Sequence, residues 1–305
     1  MGYRQVLIAG AAGIRSADNQ LIVEQKGNKN RIPLEDINII ILESREITLT
    51  SFALAECARF NIIVLCCDGK FMPVMQTHAL NQHYRPHEVF LLQQNQTSEM
   101  KERATECLLK GKLANQLAVL KYCQLSPDAR TLLEKYYQEL TGHDTQNREG
   151  TAAKVFFYAL HGKEFLRFEG DYENSILNYG YSILRASISR SLTSYGFTLH
   201  MGVNHRSKTN ALNLTYDLIE PFRALIDYYL FCNRDNLQKQ LTLQHRKELI
   251  YLLNAPVLVN GKSYTVSHAI ELLVRSYLNY LENGELHFAL PELVTINFDT
   301  FFEPL

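Results

Sequence analysis

The sequence predicts an α+β fold, with a small N-terminal β-rich domain over residues 1–84 followed by a larger all-α catalytic domain over residues 85–305. Three observations point there. Short Ile- and Val-rich runs, parted by Gly, Asn and Asp clusters, fill the first part of the chain. Long leucine-patterned stretches follow from about residue 90. Between them lies a polar junction, QTHALNQHYRPHEVFLLQQ, which carries Pro86 and three histidines and places the boundary near residues 80–90.

In chain order, QVLIAG (5–10), QLIVEQ (20–25), INIIILES (37–44), EITLT (46–50) and IIVLCC (62–67) read as strands. SFALAECARF (51–60) is the helical interruption, with Phe52, Ala55, Cys57 and Ala58 expected on its inner side. Asp68-Gly69, between VLCC and FMPVM, signals a two-residue type I′ hairpin. Helices are then expected from Ser98 to about Leu125, and over 127–140, 149–161, 173–195, 217–232, 240–254 and 266–282. Asn260-Gly261 reads as a hairpin turn between VLV and SYTV, and the apolar tail INFDTFFEPL as core packing. There is no internal repeat.

With 46% hydrophobic and 21% charged residues, the chain can bury a sizeable core. No apolar run approaches transmembrane length, and the N-terminal apolar stretch is too short for a signal peptide, so a cytoplasmic location is expected. The six cysteines form no CxxC pair, which argues against zinc ribbons and thioredoxin-type redox chemistry. Cys66 and Cys67 are adjacent and should face opposite sides of a strand. A formal charge of −1 does not advertise a polyanion binder, so any such surface must be local.

Two negatives narrow the chemistry. Gly261-Lys262-Ser263 has the ending of a phosphate-binding loop, but Pro256 stands where the upstream glycine belongs. No GxSxG motif is present, so nucleotide hydrolysis and acyl transfer both lose support. Asn147-Arg148-Glu149-Gly150 opens a helical run; on residue physics Asn147 is an N-cap and Glu149 a first-turn acid favoured by the helix dipole. The functional alternative makes Glu149 a metal ligand, with Gly150, Ala152 and Ala153 leaving room for close approach and Lys154 nearby. In GFTLHMGVNHRSKTNALNLTYDLIEPFRALIDYY, His200 and His205 precede Asp217 and Glu220, which would share one helical face. The plainer reading has Asp217 and Glu220 as a D-x-x-E capping box and His200 as a core histidine.

At these residues the sequence resembles the CRISPR adaptation integrase family, the catalytic subunit of the spacer-acquisition complex. The resemblance runs over most of the chain: the β region from Ile32 to Met75, the K-x-x-N-Q pattern at Lys112, Asn115 and Gln116, NREGTAAKVFF, the N-x-G-Y motif at Asn178, Gly180 and Tyr181, and the histidine-to-acid block ending in EPFR. The EPFR ending is similar to the branch found in type II systems, beside RNA-guided effector nucleases. The resemblance implies a catalytic and metal-binding triad of Glu149, His205 and Glu220, with Asp217 in support and His200 as the fallback histidine. The interval from His205 to YDLIEPFR favours His205, while Gly202-Val203-Asn204-His205 departs from the G-[FIL]-x-H string of most relatives.

The implied reaction is transesterification, in which a DNA 3′-hydroxyl displaces another from a phosphodiester; it conserves bond energy and needs no ATP. Two carboxylates and an imidazole suit Mg²⁺ or Mn²⁺. Lys110, Lys112, Arg148, Lys154, Arg185, Arg190, Arg206, Lys208 and Arg223 are the basic residues expected to offer phosphate contacts, although Arg223 has Glu220 and Asp227 as alternative partners on its own helix. Implied partners are double-stranded DNA (spacer precursor and CRISPR array), a second copy bound through the β domain, a small ferredoxin-like companion subunit and the RNA-guided effector nuclease, with no membrane. A non-catalytic DNA-binding assembly subunit is the competing reading. A small-substrate phosphohydrolase is the third, and it has no motif of its own.

Overall fold

The computed structural model describes residues 3–80, 83–162, 164–165, 167, 172–234 and 240–303. Asn81 and Gln82 of the expected junction, and Pro304 and Leu305 of the tail, lie outside them. The N-terminal region consists of strands β1 (Arg4–Ile8), β2 (Ala12–Ala17), β3 (Gln20–Gln25), β4 (Asn28–Pro33), β5 (Ile37–Leu42), β6 (Ile47–Leu49), β7 (Ile63–Cys67) and β8 (Pro73–Gln76), with helix α1 (Ser51–Arg59) between β6 and β7. They form two four-stranded sheets, ordered β1-β5-β7-β8 and β4-β3-β2-β6. In the first, β1, β5 and β7 run parallel and β8 antiparallel.

Strand β5 is buried along its whole length, Asn38 included, as its Ile-rich run requires of a central strand covered on both faces. Ile40 and Leu42 join a core shared with Ile14, Leu21 and Val23 of the second sheet. Ile39 and Ile41 face the other way, into the core shared with the helices. The same alternation sends Cys66 to the first core and Cys67 to the second, as expected, and all six thiols are free.

Three local expectations fail. The hairpin at Asp68 is present, but its connection is a five-residue loop organised by the Asp68 carboxylate, which accepts from the backbone N–H of Lys70 and Met72. Two-residue turns with positive φ at both positions occur instead at Asp18-Asn19, at Lys26-Gly27 and, as predicted, at Asn260-Gly261. In α1, Thr50 caps the helix and sets its phase so that Ala53 and Cys57 point inward, leaving Phe52 exposed. Strand β4 was missed because NKNRIP has no apolar alternation; it exists by pairing with β3.

The remaining elements are mainly helical: α2 (Pro86–Gln94), α3 (Ser98–Tyr122), α4 (Pro127–Glu139), α5 (Arg148–His161), α6 (Tyr172–Ser194), α7 (Asn213–Leu218), α8 (Arg223–Asn233), α9 (Leu243–Tyr251), α10 (Val266–Asn283) and α11 (Phe298–Phe301). Pro86 occupies the first turn of α2, the position where its missing N–H costs nothing, so the proline read as a boundary starts a helix. The region is not wholly α-helical. Strands β9 (Pro256–Val259), β10 (Lys262–Thr265) and β11 (Glu292–Leu293) make a small antiparallel sheet, ordered β10-β9-β11. Among the described residues no helix is long and apolar enough to cross a membrane.

Helix α6 is the central post, buried over most of its surface and packed against α7, α8, α9, α10 and the first sheet. Gly180 lets it approach α8: a Cβ there would stand 2.6 Å from Ile226 Cγ2. Its Tyr179 hydroxyl donates to Glu43 at the end of β5 (3.0 Å), and Arg246 of α9 pairs with the same carboxylate (2.8 Å). This buried cluster ties the first sheet to the helices. The tail also packs inward, with Phe298 edge-on to Tyr228 and Tyr229.

Candidate active site

The acid Glu149 sits in the first turn of α5, where its own backbone N–H donates to Asp144 Oδ2 (2.8 Å) and that of Arg148 to Asp144 Oδ1 (2.7 Å). Asp144 is therefore the cap. Asn147, the expected one, adopts a left-handed conformation (φ 53°) with no capping bond, and its side chain fills the space beside Gly150. Asp144 has a signal in hindsight: an aspartate four residues before Arg148 whose carboxylate spans two open N–H groups at a helix start.

Glu220 opens a 3-10 turn, Glu220–Phe222, that separates α7 from α8. The expected continuous helix over 217–232 breaks here because Pro221 has no N–H to donate. Asn115 of α3 fastens this turn: its Nδ2 donates to the carbonyls of Pro221 (2.7 Å) and Pro291 (2.8 Å), while Oδ1 accepts from Leu293 N. The K-x-x-N-Q pattern thus brings Lys112 and Glu220 to one place.

The Lys112 ammonium lies between the two acids. It contacts Glu149 Oε1 and stands 2.7 Å from Glu220 Oε2. Arg223 Nη2 approaches Glu220 Oε1 at 3.1 Å, the pairing its spacing allowed. Burial opposes ionisation of Glu220, yet Arg223, Lys112 and His205 hold its carboxyl below the usual carboxylate range. Burial likewise works against the charge on Lys112, and Glu220 and Glu149 overcome it, raising its pKa.

His205 lies in the loop between α6 and α7. Its Nδ1 is 2.6 Å from Asp217 Oδ1, and the backbone N–H groups of Val203, Asn204 and His205 all donate to the same carboxylate. Asp217 therefore caps no helix; it sits inside α7 and organises the histidine loop, which overturns the capping-box reading. Gly202 is required beside it, since a Cβ there would collide with the His205 carbonyl and the Asp217 carboxylate. The hydrogen bond to Asp217 raises the His205 pKa, with burial acting against it. His200 is exposed and contributes its carbonyl, which accepts from Asn213 Nδ2, so it is not a core histidine.

A cavity of about 420 Å³ adjoins these groups, lined by Lys112, Gln116, Ala153, Lys154, Phe157, Tyr158, Phe165, Arg167, Tyr181, Arg223 and Asp227. Tyr181 donates to Asp227 Oδ1 (2.7 Å), and the Arg223 guanidinium lies over the Tyr181 ring. Burial pushes the Asp227 carboxyl up to about 6, against the lowering effect of Tyr181. Arg167 escaped notice in the sequence because it stands in no chemical motif, and Asp227 was read only as an alternative partner of Arg223.

The other basic candidates divide. Lys154, Arg206 and Lys208 are exposed. Arg148 is paired with Glu139 and Gln146, and Lys110 with Glu106. Arg185 is half-buried against Tyr216 and Ser182, and Arg190 is buried with Nε on the Asn61 carbonyl, so both serve packing rather than an open surface.

Among the described residues, no three His, Cys, Asp or Glu side chains stand close enough to hold an ion as they now lie. The donor set nevertheless fits one. Two carboxylates converge on a positive charge, and Glu220 Oε2 is buried with no hydrogen-bond partner beyond that ammonium. Asp217 engages Nδ1 of His205, which leaves Nε2 for an ion.

Comparison with known proteins adds a family. Residues 6–255 match the model of a family described as CRISPR associated protein Cas1. The CRISPR-associated endonuclease Cas1 of Neisseria meningitidis serogroup C (strain 8013) is 31% identical over 299 residues, covering 97% of this chain and 98% of that protein. A solved structure of a casposase bound to integration product superposes with a TM-score of 0.74 at 20% identity, covering 97% of each chain. A Cas6-RT-Cas1–Cas2 complex gives the same TM-score at 19% identity, covering 96% of this chain and 36% of that longer one.

Proposed function

Because the chain belongs to the Cas1 family of CRISPR-associated proteins, we propose that it is a divalent-metal-dependent DNA integrase and endonuclease that inserts short foreign duplexes into a CRISPR array. One observation carries this reading. Glu149 of α5 and Glu220 of the α7–α8 turn, distant in sequence, converge on a single positive charge beside a histidine oriented by Asp217. Similarity to the Neisseria endonuclease along nearly its whole length supports a place in the type II branch.

Glu149, Glu220 and His205 Nε2 would hold Mg²⁺ or Mn²⁺. Bound there, the ion supplies Lewis acidity at phosphoryl oxygen and offsets charge on the attacking or leaving oxygen. The protein's own groups do the rest. Asp217 fixes the imidazole so that Nε2 faces outward from the pair. Arg223 and Lys112 bring positive charge to a phosphodiester entering the cavity, while Lys154, Arg206 and Lys208 neutralise flanking phosphates. The attacking 3′-hydroxyl forms one P–O bond as another breaks, releasing a 3′-hydroxyl, so the exchange needs no nucleotide cofactor.

We assign dimerisation to the domain of residues 1–84 and catalysis to residues 85–305. A companion subunit is supported by the fold shared with the Cas1–Cas2 complex; its small ferredoxin-like fold is proposed from the family resemblance, and the effector nuclease from the type II placement. The protein works in the cytoplasm under this reading.

The test is plasmid integration by the purified protein, a short duplex with 3′-hydroxyl ends and Mn²⁺, with and without the companion. Glu149→Gln and His205→Ala should abolish joining, and His200→Ala should retain it. Joining that survives Glu149→Gln overturns the catalytic assignment, and DNA binding without joining under any condition favours the assembly subunit.

A further inference from the structure

We propose that Lys112 is a built-in competitor for the divalent ion: an ion entering between Glu149 and Glu220 displaces its ammonium into the adjoining cavity, where it meets a DNA phosphate. The proposal rests on the ligand assignment above and adds a role for a residue outside that ligand set.

Four observations lead to it. First, the ammonium occupies the position an ion shared by both carboxylates would take, touching Glu149 Oε1 and lying 2.7 Å from Glu220 Oε2. An ion bound at about 2.1 Å from carboxylate oxygens leaves no room for a second cation between the same atoms. Second, the lysine has somewhere to go. It lines the cavity as well as the acid pair, and its four-carbon stem turns without moving α3. Third, an acceptor waits there. Gln116, four residues on and therefore on the same helical face, is buried, and its Oε1 has no hydrogen-bond partner. Fourth, the charges balance only with Lys112 in place. Glu149 and Glu220 are matched by Lys112 and Arg223. A divalent ion added to that set leaves two positive charges in excess, and DNA phosphate is the partner that restores neutrality.

The consequence is linkage. Without DNA, Lys112 weakens ion binding by competing for the carboxylates. With DNA, the displaced ammonium gains a phosphate, so ion and DNA strengthen each other's binding reciprocally.

The experiment measures Mn²⁺ affinity calorimetrically on the full chain without DNA, then duplex affinity by anisotropy with and without Mn²⁺, using duplexes with 3′-deoxy ends. Lys112→Met should tighten Mn²⁺ binding about tenfold and reduce the Mn²⁺-dependent gain in duplex affinity to below about twofold. Lys112→Gln, which keeps a hydrogen-bond donor near the acids, should shift both quantities the same way and serves if the methionine variant does not fold. Unchanged or weaker Mn²⁺ binding in the folded variant, with Glu149→Gln still abolishing uptake, overturns the competitor role and leaves the ligands standing. Mn²⁺ uptake indifferent to Glu149→Gln, or absent from the unaltered protein, overturns both.

Discussion

Asp217→Asn isolates the group that holds the histidine loop. The side chain is 2% exposed. Its Oδ2 accepts from Val203 N (2.5 Å) and Asn204 N (3.2 Å), and its Oδ1 from His205 N (3.0 Å) and His205 Nδ1 (2.6 Å). An asparagine replaces one of these acceptors with a donor, so whichever way the amide turns, an NH₂ faces two N–H groups. Turned toward Val203, it costs two backbone bonds and pushes the loop away. Turned toward His205, it costs one backbone bond and forces the imidazole to carry its proton on Nε2, the atom left for an ion. Each buried donor stranded in this way costs about 1–3 kcal/mol, so a loss of about 2–4 kcal/mol is expected. The proposed metal-dependent activity should fall about 10–100-fold, the usual penalty for disorienting a ligand's partner. The assays are urea unfolding followed by circular dichroism, since the chain has no Trp, and strand transfer across a Mn²⁺ titration. Asp217→Asn added to His205→Ala should cost little further activity beyond His205→Ala alone, because both act through one imidazole. Stability within about 0.5 kcal/mol of the parent, together with unaltered transfer at limiting Mn²⁺, would refute the reasoning.

Two further outcomes follow from packing and from charge. Gly180→Ala places a Cβ 2.6 Å from Ile226 Cγ2 and 3.0 Å from its Cδ1; overpacking of about 1–3 kcal/mol should outweigh the helix-propensity gain of about 1 kcal/mol. Adding Ile226→Ala removes the clash, so the double variant should be about 1 kcal/mol or more better than the sum of the singles, and strict additivity in denaturant would contradict the contact. Asp227 is held near 6 against an ordinary 3.8. The folded state therefore keeps a proton that the unfolded chain has released, and stability falls as pH rises from about 4 to about 6. At about 1.4 kcal/mol per unit, Asp227 accounts for at most about 3 kcal/mol of that decline. Asp227→Asn should flatten this part of the curve, and parallel stability profiles for parent and variant would show that another group is responsible.

Much of the fold follows from local pattern. The Ile-rich run of β5 has no stable place except between two layers, and the leucine-spaced stretches of α3, α6 and α10 appear within a few residues of their expected limits. Strand β4 could not be read because its residues carry no alternation and its existence depends on β3. The break at Glu220–Phe222 was half-visible in Pro221, although what holds the turn, Asn115 on another helix, was not.

For the site, the family resemblance implied Glu149, His205 and Glu220, with Asp217 beside them, whereas residue physics by itself favoured a first-turn role for Glu149 and a capping role for Asp217. Only the tertiary structure decided what each does now. It turned Asp217 from a supposed cap into the anchor of the His205 loop, gave the capping role to Asp144, withdrew Arg190 into the interior and placed Lys112 between the acids. The physical reason is the same in each case. Periodicity and capping act over a few residues and leave their mark in the local sequence, whereas a buried charge is settled by whichever partners the folded chain brings to it from a distance.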